Sequence, residues 1–136
     1  MADWRDAVTV RRAASLDPGV PGRTTAFDFA GSGRGETWIG MVAMAPGAAT
    51  GAHHHGRHEV AVYVTEGRGL IRWGERLEFA AEVAPGDFVY FAPQVPHEEV
   101  NLDPAEALRF VVVRSDNERI MVPLQIEPAD TPEAVY

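Results

Sequence analysis

Four of the five histidines, His53, His54, His55 and His58, fall between Gly47 and Gly67, and the fifth, His97, lies in a Pro-rich segment, Gly86 to Asn101. Neutral imidazole is the commonest metal-ligating side chain. In an extended strand, residues two apart share a face at a separation of about 6.6–7 Å, so His53 and His55 point one way and His54 the other. Past the Gly56-Arg57 turn, His58 and Glu59 both stand ready as a third ligand, and His97 supplies a fourth from a distant strand. Imidazoles with one carboxylate suit one divalent Fe, Mn, Ni, Cu, Co or Zn ion. Four protein ligands on an octahedral ion leave two positions for water, dioxygen or a chelating substrate. An expression tag or a His-rich surface loop also clusters histidines, but a tag sits at a terminus. This cluster lies between two strong strand patterns, with a distant histidine in a suitable setting.

Such ligands need strands to hold them, and strands are what the rest of the chain spells. Alternation and β-branched runs predict strands over Thr24 to Ala30, Thr37 to Ala45, Glu59 to Glu66, Gly69 to Trp73, Glu78 to Ala84, Phe88 to Phe91, Glu98 to Asn101, Leu108 to Arg114 and Ile120 to Gln125. Gly67, Gly74, Pro85-Gly86, Pro93, Pro96 and Asp103-Pro104 are among the breaks between them. Many short strands at this rhythm mean an all-β sandwich or barrel. The only helical turn expected is at Pro104 to Ala107. Residues 1–23 read as an N-terminal arm with a short strand at Ala7 to Val10, 24–126 as a single barrel domain, and 127–136 as a tail that is loose or packs on a partner. Gly31-Ser32-Gly33-Arg34-Gly35 has phosphate-loop spacing, but no helical pattern follows to present its N-terminus to a phosphate.

Composition removes several classes of function. The net charge of −8 repels phosphate backbones and anionic membrane surfaces, so no nucleic acid and no membrane partner is expected. All 12 basic residues are arginine, which rules out a lysine Schiff base. With no cysteine there is no thiol nucleophile and no thiolate metal site, and a cytoplasmic protein is expected. Arg11-Arg12 is not followed by the apolar run of an export signal. The three serines, Ser15, Ser32 and Ser115, sit in no nucleophile-elbow setting.

Gly47, five residues, His53-x-His55, three residues and Glu59 resemble the first motif of the cupin superfamily, and Gly86 to Asn101 resembles the second. The resemblance implies a double-stranded β-helix (jelly-roll) barrel and a homodimer, with the metal on His53, His55, Glu59 and His97. More narrowly, Gly51 to Glu59 with Arg72 to Glu78 is similar to small RmlC-like bacterial cupins that carry predicted sugar-phosphate-isomerase labels. Two departures matter. Seven residues separate Glu59 from Gly67 where the family has six, so either a β-bulge restores Glu59 or His58 is the third ligand. Ala92 and Gln94 stand where the family has Pro and Gly, which leaves the turn before His97 open.

The expectation is therefore a metal-dependent enzyme for a small-molecule substrate, of dioxygenase or isomerase/lyase type. The alternative is a cupin that binds or senses a small, sugar-like ligand without chemistry. No catalytic residue is singled out. Tyr63, Trp73, Phe88, Tyr90, Trp38 and Phe91 read as barrel core or interface before pocket lining. Arg72 and Arg109 read as outward salt bridges before substrate clamps. Glu98 and Glu99 can serve as acid/base groups or orient the ligands, although solvated strand positions are the default reading.

Overall fold

The computed structural model describes residues 4–7, 12, 14, 16, 22–28, 37–115 and 120–136. After a short 3-10 turn at Arg5–Ala7, the strands run β1 (Arg23–Asp28), β2 (Trp38–Met44), β3 (His53–His54), β4 (Val60–Glu66), β5 (Gly69–Trp73), β6 (Phe79–Val83), β7 (Phe88–Phe91), β8 (His97–Asn101), β9 (Leu108–Arg114), β10 (Val122–Pro123) and β11 (Glu133–Ala134). They form a five-stranded sheet in the order β1-β2-β9-β4-β7 and a six-stranded sheet in the order β10-β3-β8-β5-β6-β11. All pairings are antiparallel except that of β11 with β6. This is the all-β sandwich or barrel expected from the strand rhythm, in the double-stranded β-helix form that the family resemblance implies.

Period-two alternation sets which faces meet. In β4, Val60, Val62 and Val64 are buried while Ala61 and Tyr63 face outward. In β9, Leu108, Phe110, Val112 and Arg114 are buried and Arg109 is exposed. With Trp38, Ile71 and Phe91 these side chains make one core between the sheets. Each fully buried aliphatic or aromatic side chain there contributes about 1.5–3 kcal/mol.

Several expectations resolve differently in detail. The segment Ile120 to Gln125 pairs only through Val122–Pro123, against His54 and His53. The tail docks on its own barrel: Glu133 and Ala134 run parallel to Phe79 and Ala80, because the unpaired edge of β6 offers the hydrogen bonds that the tail needs. Arg72 forms no ion pair among the described residues. Its guanidinium donates to the carbonyls of Leu77 (2.8 Å) and Ala129 (2.9 Å) and so ties the tail to β5. Arg109 makes the expected outward pair, with Glu66 at 3.1 Å. Pro104 to Ala107 forms bends in place of a helical turn, with the Asp103 carboxylate accepting from the backbone N–H groups of Ala105 and Glu106. Arg5–Ala7 is helical where the strand Ala7 to Val10 was expected to begin; the rest of that strand and the Gly31 to Gly35 turn lie outside the described residues.

Candidate metal centre

Strand β3 carries His53 and His54, and His55 follows at its end, just before Gly56 turns the chain at φ +61°. Parity does what the sequence predicts. His53 and His55 face inward, while His54 accepts a hydrogen bond from the Gly56 N–H on the other side (2.9 Å). His97 opens β8 directly opposite His53 in the antiparallel register. The ligand atoms of His53, His55 and His97 all lie within 4.8 Å of one another.

Each ring is fixed from behind. Nδ1 of His53 meets the Gly51 carbonyl at 2.9 Å, Nδ1 of His55 the Ile120 carbonyl at 3.0 Å, and Nδ1 of His97 the Val95 carbonyl at 3.0 Å. A carbonyl only accepts, so each Nδ1 carries the proton and each Nε2 keeps its lone pair. Two of these carbonyls belong to the residue two positions earlier, which the turns at Gly51 and Gln94 make possible. Gln94 holds φ +62°, so the conformation that favours glycine is kept without one, and its N–H donates to the Gly56 carbonyl (2.7 Å). The loop bearing His97 is thereby stitched to the turn after His55.

Burial lowers the basicity of His53 and His55. Burial pushes His55 down to about 4, with the neighbouring imidazoles and Arg114 adding to the effect. Burial likewise lowers His53, against the attraction of Glu99. The Arg114 guanidinium lies 4.7 Å over the Trp38 ring. Phe91 stacks on His97 with ring centroids 4.1 Å apart, closing one side of the centre.

The expected third ligands are not brought to this group. Val60 is the first inward residue of β4, so alternation turns Glu59 outward, where its carboxylate accepts a hydrogen bond from the Tyr90 hydroxyl at 2.5 Å. No bulge intervenes at that end. The register shift that takes up the extra residue lies between Val64 and Glu66, beyond the strand's inward stretch. His58 is buried, as the same parity requires, but does not join the three-histidine group. A different carboxylate lies beside two of the imidazoles, although like His58 it does not join the three-histidine group. Glu99, 8% exposed, places its oxygens 3.8 Å from Nε2 of His53 and 3.6 Å from Nε2 of His97. Burial pushes its carboxyl up, but His97 and His53 together with Thr50 outweigh burial and hold it below the usual carboxylate value. The signal for Glu99 was in the sequence: it stands two residues after His97 and so shares its face.

Asn101, two residues further and 2% exposed, donates to the carbonyls of Met44, Ala45 and Glu106. It stabilises the loop ends around the barrel and does not reach the metal centre. A pocket of about 620 Å³ opens between the edges of β6 and β7, lined by Ile71, Trp73, Phe91, Val95 and Tyr136 among others. None of the three histidines lines it. Phe91, which lines the pocket and stacks on His97, is the partition between pocket and centre.

The donor set fits a divalent transition metal ion. Three imidazoles, each with Nδ1 committed to a carbonyl, turn their Nε2 atoms toward one another, and that of His97 is buried with no hydrogen-bond partner among the described residues. Ligands about 2.1 Å from a common ion stand roughly 3–4 Å apart, and the three ligand atoms here lie within 4.8 Å of one another.

Two facing β-sheets closed around a histidine triad define a double-stranded β-helix with a site that could hold a metal ion. The chain belongs to the cupin family: the model of the cupin domain matches residues 40–114. Comparison with curated protein sequences gives no match. Among solved structures, the chain is similar to an uncharacterised protein with a double-stranded β-helix domain from Klebsiella pneumoniae (18% identity, 80% of this chain and 89% of that one, TM-score 0.63). It is also similar to an oxalate oxidase (21% identity, 85% and 63%, TM-score 0.63) and to the oxalate decarboxylase of Bacillus subtilis (21% identity, 75% and 27%, TM-score 0.61). The chain thus spans less than two thirds of the oxidase and about a quarter of the decarboxylase, and at these identities the likeness establishes the fold alone.

Proposed function

We propose that the chain is a metal-dependent enzyme for a small, oxygen-bearing substrate, with one divalent transition metal ion per chain held by His53, His55 and His97. The observation that carries this reading is the anchoring of all three imidazoles through Nδ1 to backbone carbonyls, which leaves three converging Nε2 lone pairs. Folding alone has no use for such an arrangement, because lone pairs gathered in a buried space repel one another and the Nε2 of His97 meets no donor.

When bound, the ion supplies Lewis-acid polarisation of a substrate oxygen. The chain's own residues prepare the place. The depressed basicity of His53 and His55 keeps their lone pairs available at neutral pH. Phe91 stacks on the His97 ring and holds its plane. The similarity to oxalate oxidase and oxalate decarboxylase supports a small carboxylate-bearing compound as substrate class. Dimerisation is part of the same reading: Phe88 and Tyr90 stand exposed on the free edge of β7, where a second copy would cover them. Among the described residues no helix is long and apolar enough to cross a membrane.

Metal analysis of the purified protein tests the proposal. Wild type is expected to carry close to one metal ion per chain, and His53→Ala and His97→Ala to lose it. Stoichiometric metal indifferent to both substitutions sinks the idea. Oxygen consumption with a panel of small hydroxy, keto and dicarboxylic acids then separates dioxygenase from isomerase or lyase chemistry.

A further inference from the structure

The family pattern puts a carboxylate at Glu59, and the structure has that group on the surface, hydrogen-bonded to Tyr90. We infer that Glu99 is the carboxylate ligand of the centre, so that β8 supplies two of four ligands through the pair His97-x-Glu99. This rests on the metal reading above and adds to it a ligand from a different strand.

Three observations carry the inference. The first is parity: His97, Glu99 and Asn101 are the three buried positions of β8, and Glu99 follows His97 by one strand repeat. The second is distance. Oxygens of Glu99 approach Nε2 of two of the three imidazoles, at 3.8 Å for His53 and 3.6 Å for His97. Those separations are too long for hydrogen bonds and fall in the roughly 3–4 Å range of two ligands sharing one ion. The backbone of Glu99 is fixed from both sides, its N–H donating to Thr50 Oγ1 (3.0 Å) and its carbonyl accepting from the Thr50 N–H (2.9 Å).

The third is the chemistry of what faces what. His53 and His97 commit Nδ1 to backbone carbonyls, so in the neutral form of each ring the Nε2 atom toward Glu99 is an acceptor, as the carboxylate is. On its other side Glu99 borders a small apolar void of about 10 Å³, with Val62, Ile71, Leu108 and Phe110 in its wall. A largely buried carboxylate beside two imidazole nitrogens, with the Thr50 side chain as its other polar neighbour, is better balanced when a cation sits among the acceptors. One proton satisfies one pair of these atoms, whereas a divalent ion satisfies the carboxylate and the imidazoles together. The centre becomes three imidazoles and one carboxylate, the composition the family pattern implies, with the anion moved from the start of β4 to the middle of β8.

Co(II) titration of metal-stripped protein tests this, comparing wild type with Glu99→Gln, Glu59→Gln and His53→Ala and following the visible absorption of the bound ion. Glu99→Gln is isosteric and keeps the backbone contacts with Thr50. It is expected to weaken Co(II) binding by more than about 100-fold, beyond the effect of groups that only orient a ligand, and to change the absorption bands. Glu59→Gln is expected to bind as wild type does. If wild type takes up no Co(II), or His53→Ala binds as tightly, the metal reading itself falls, and Glu99 with it. If His53 is required while Glu99→Gln matches wild type in affinity and spectrum, only the role of Glu99 is overturned. A crystal structure of Co(II)-loaded wild type decides the point without any variant. A Glu99 oxygen within about 2.2 Å of the ion supports the inference, and both oxygens beyond about 3 Å overturn it.

Discussion

Acidification of the metal-free protein probes the centre from the side of folding. His55 titrates near 4 in the folded chain because burial disfavours its charged form, against 6.5 for an ordinary histidine. Between those values the unfolded chain holds a proton on residue 55 that the folded chain lacks, so stability falls as pH falls. From pH 7 to pH 5 the linkage amounts to about 1–2 kcal/mol for this one group, allowing for its partial exposure. His53 is shifted in the same direction and adds to the loss. Glu99 is displaced downward from the ordinary carboxylate value, so its contribution is lost only below that range and leaves this window untouched. Other groups titrate between pH 7 and pH 5 as well, so the useful quantity is a double difference. Urea unfolding of chelator-treated wild type and His55→Gln at both pH values isolates it. Wild type is expected to lose about 1–2 kcal/mol more than the variant on going to pH 5. Equal losses refute the argument, because they mean that folding does not keep residue 55 neutral.

Two further expectations concern the frame that holds the ligands. Gln94→Gly relieves a side chain at φ +62° and is expected to raise stability by up to about 1 kcal/mol in urea unfolding, net of the added freedom of the unfolded chain; a clear loss counts against strain at that turn. Asn101→Ala removes the side-chain donor shared by the carbonyls of Met44, Ala45 and Glu106 and is expected to cost about 2–3 kcal/mol while leaving the metal affinity of the folded fraction unchanged; a selective loss of affinity contradicts its purely structural role.

Much of this molecule is legible in the amino-acid order because alternation is a local property. The Val60, Val62, Val64 series announces the buried face of β4, and His53-x-His55 announces two imidazoles on one face. The same rule, extended two residues past His97, reaches Glu99. Resemblance to the family pattern drew attention to Glu59 instead. What decided between Glu59 and the interior was where the extra residue before Gly67 is accommodated, and that depends on how β4 pairs with β9, a partner more than 40 residues away. Strands β10 and β11 are two residues each and carry no periodicity of their own; they exist because edges of the barrel accept them. Phe91 as a partition was equally invisible, since stacking on His97 is a tertiary contact between β7 and β8.

The carbonyl behind His55 belongs to Ile120, 65 residues further along the chain, whereas those behind His53 and His97 are two residues from their rings. Two of the imidazoles can therefore be set by their own loops, but the third waits for the chain to return after β9 and lay Val122 and Pro123 against β3. During synthesis the metal centre is among the last parts of the barrel to be finished, and its completion reports that the sheets have closed. A nascent chain ending at Arg114 carries all three histidines and only two oriented imidazoles, so on the metal reading capture of an ion reports that the segment around Ile120 has docked.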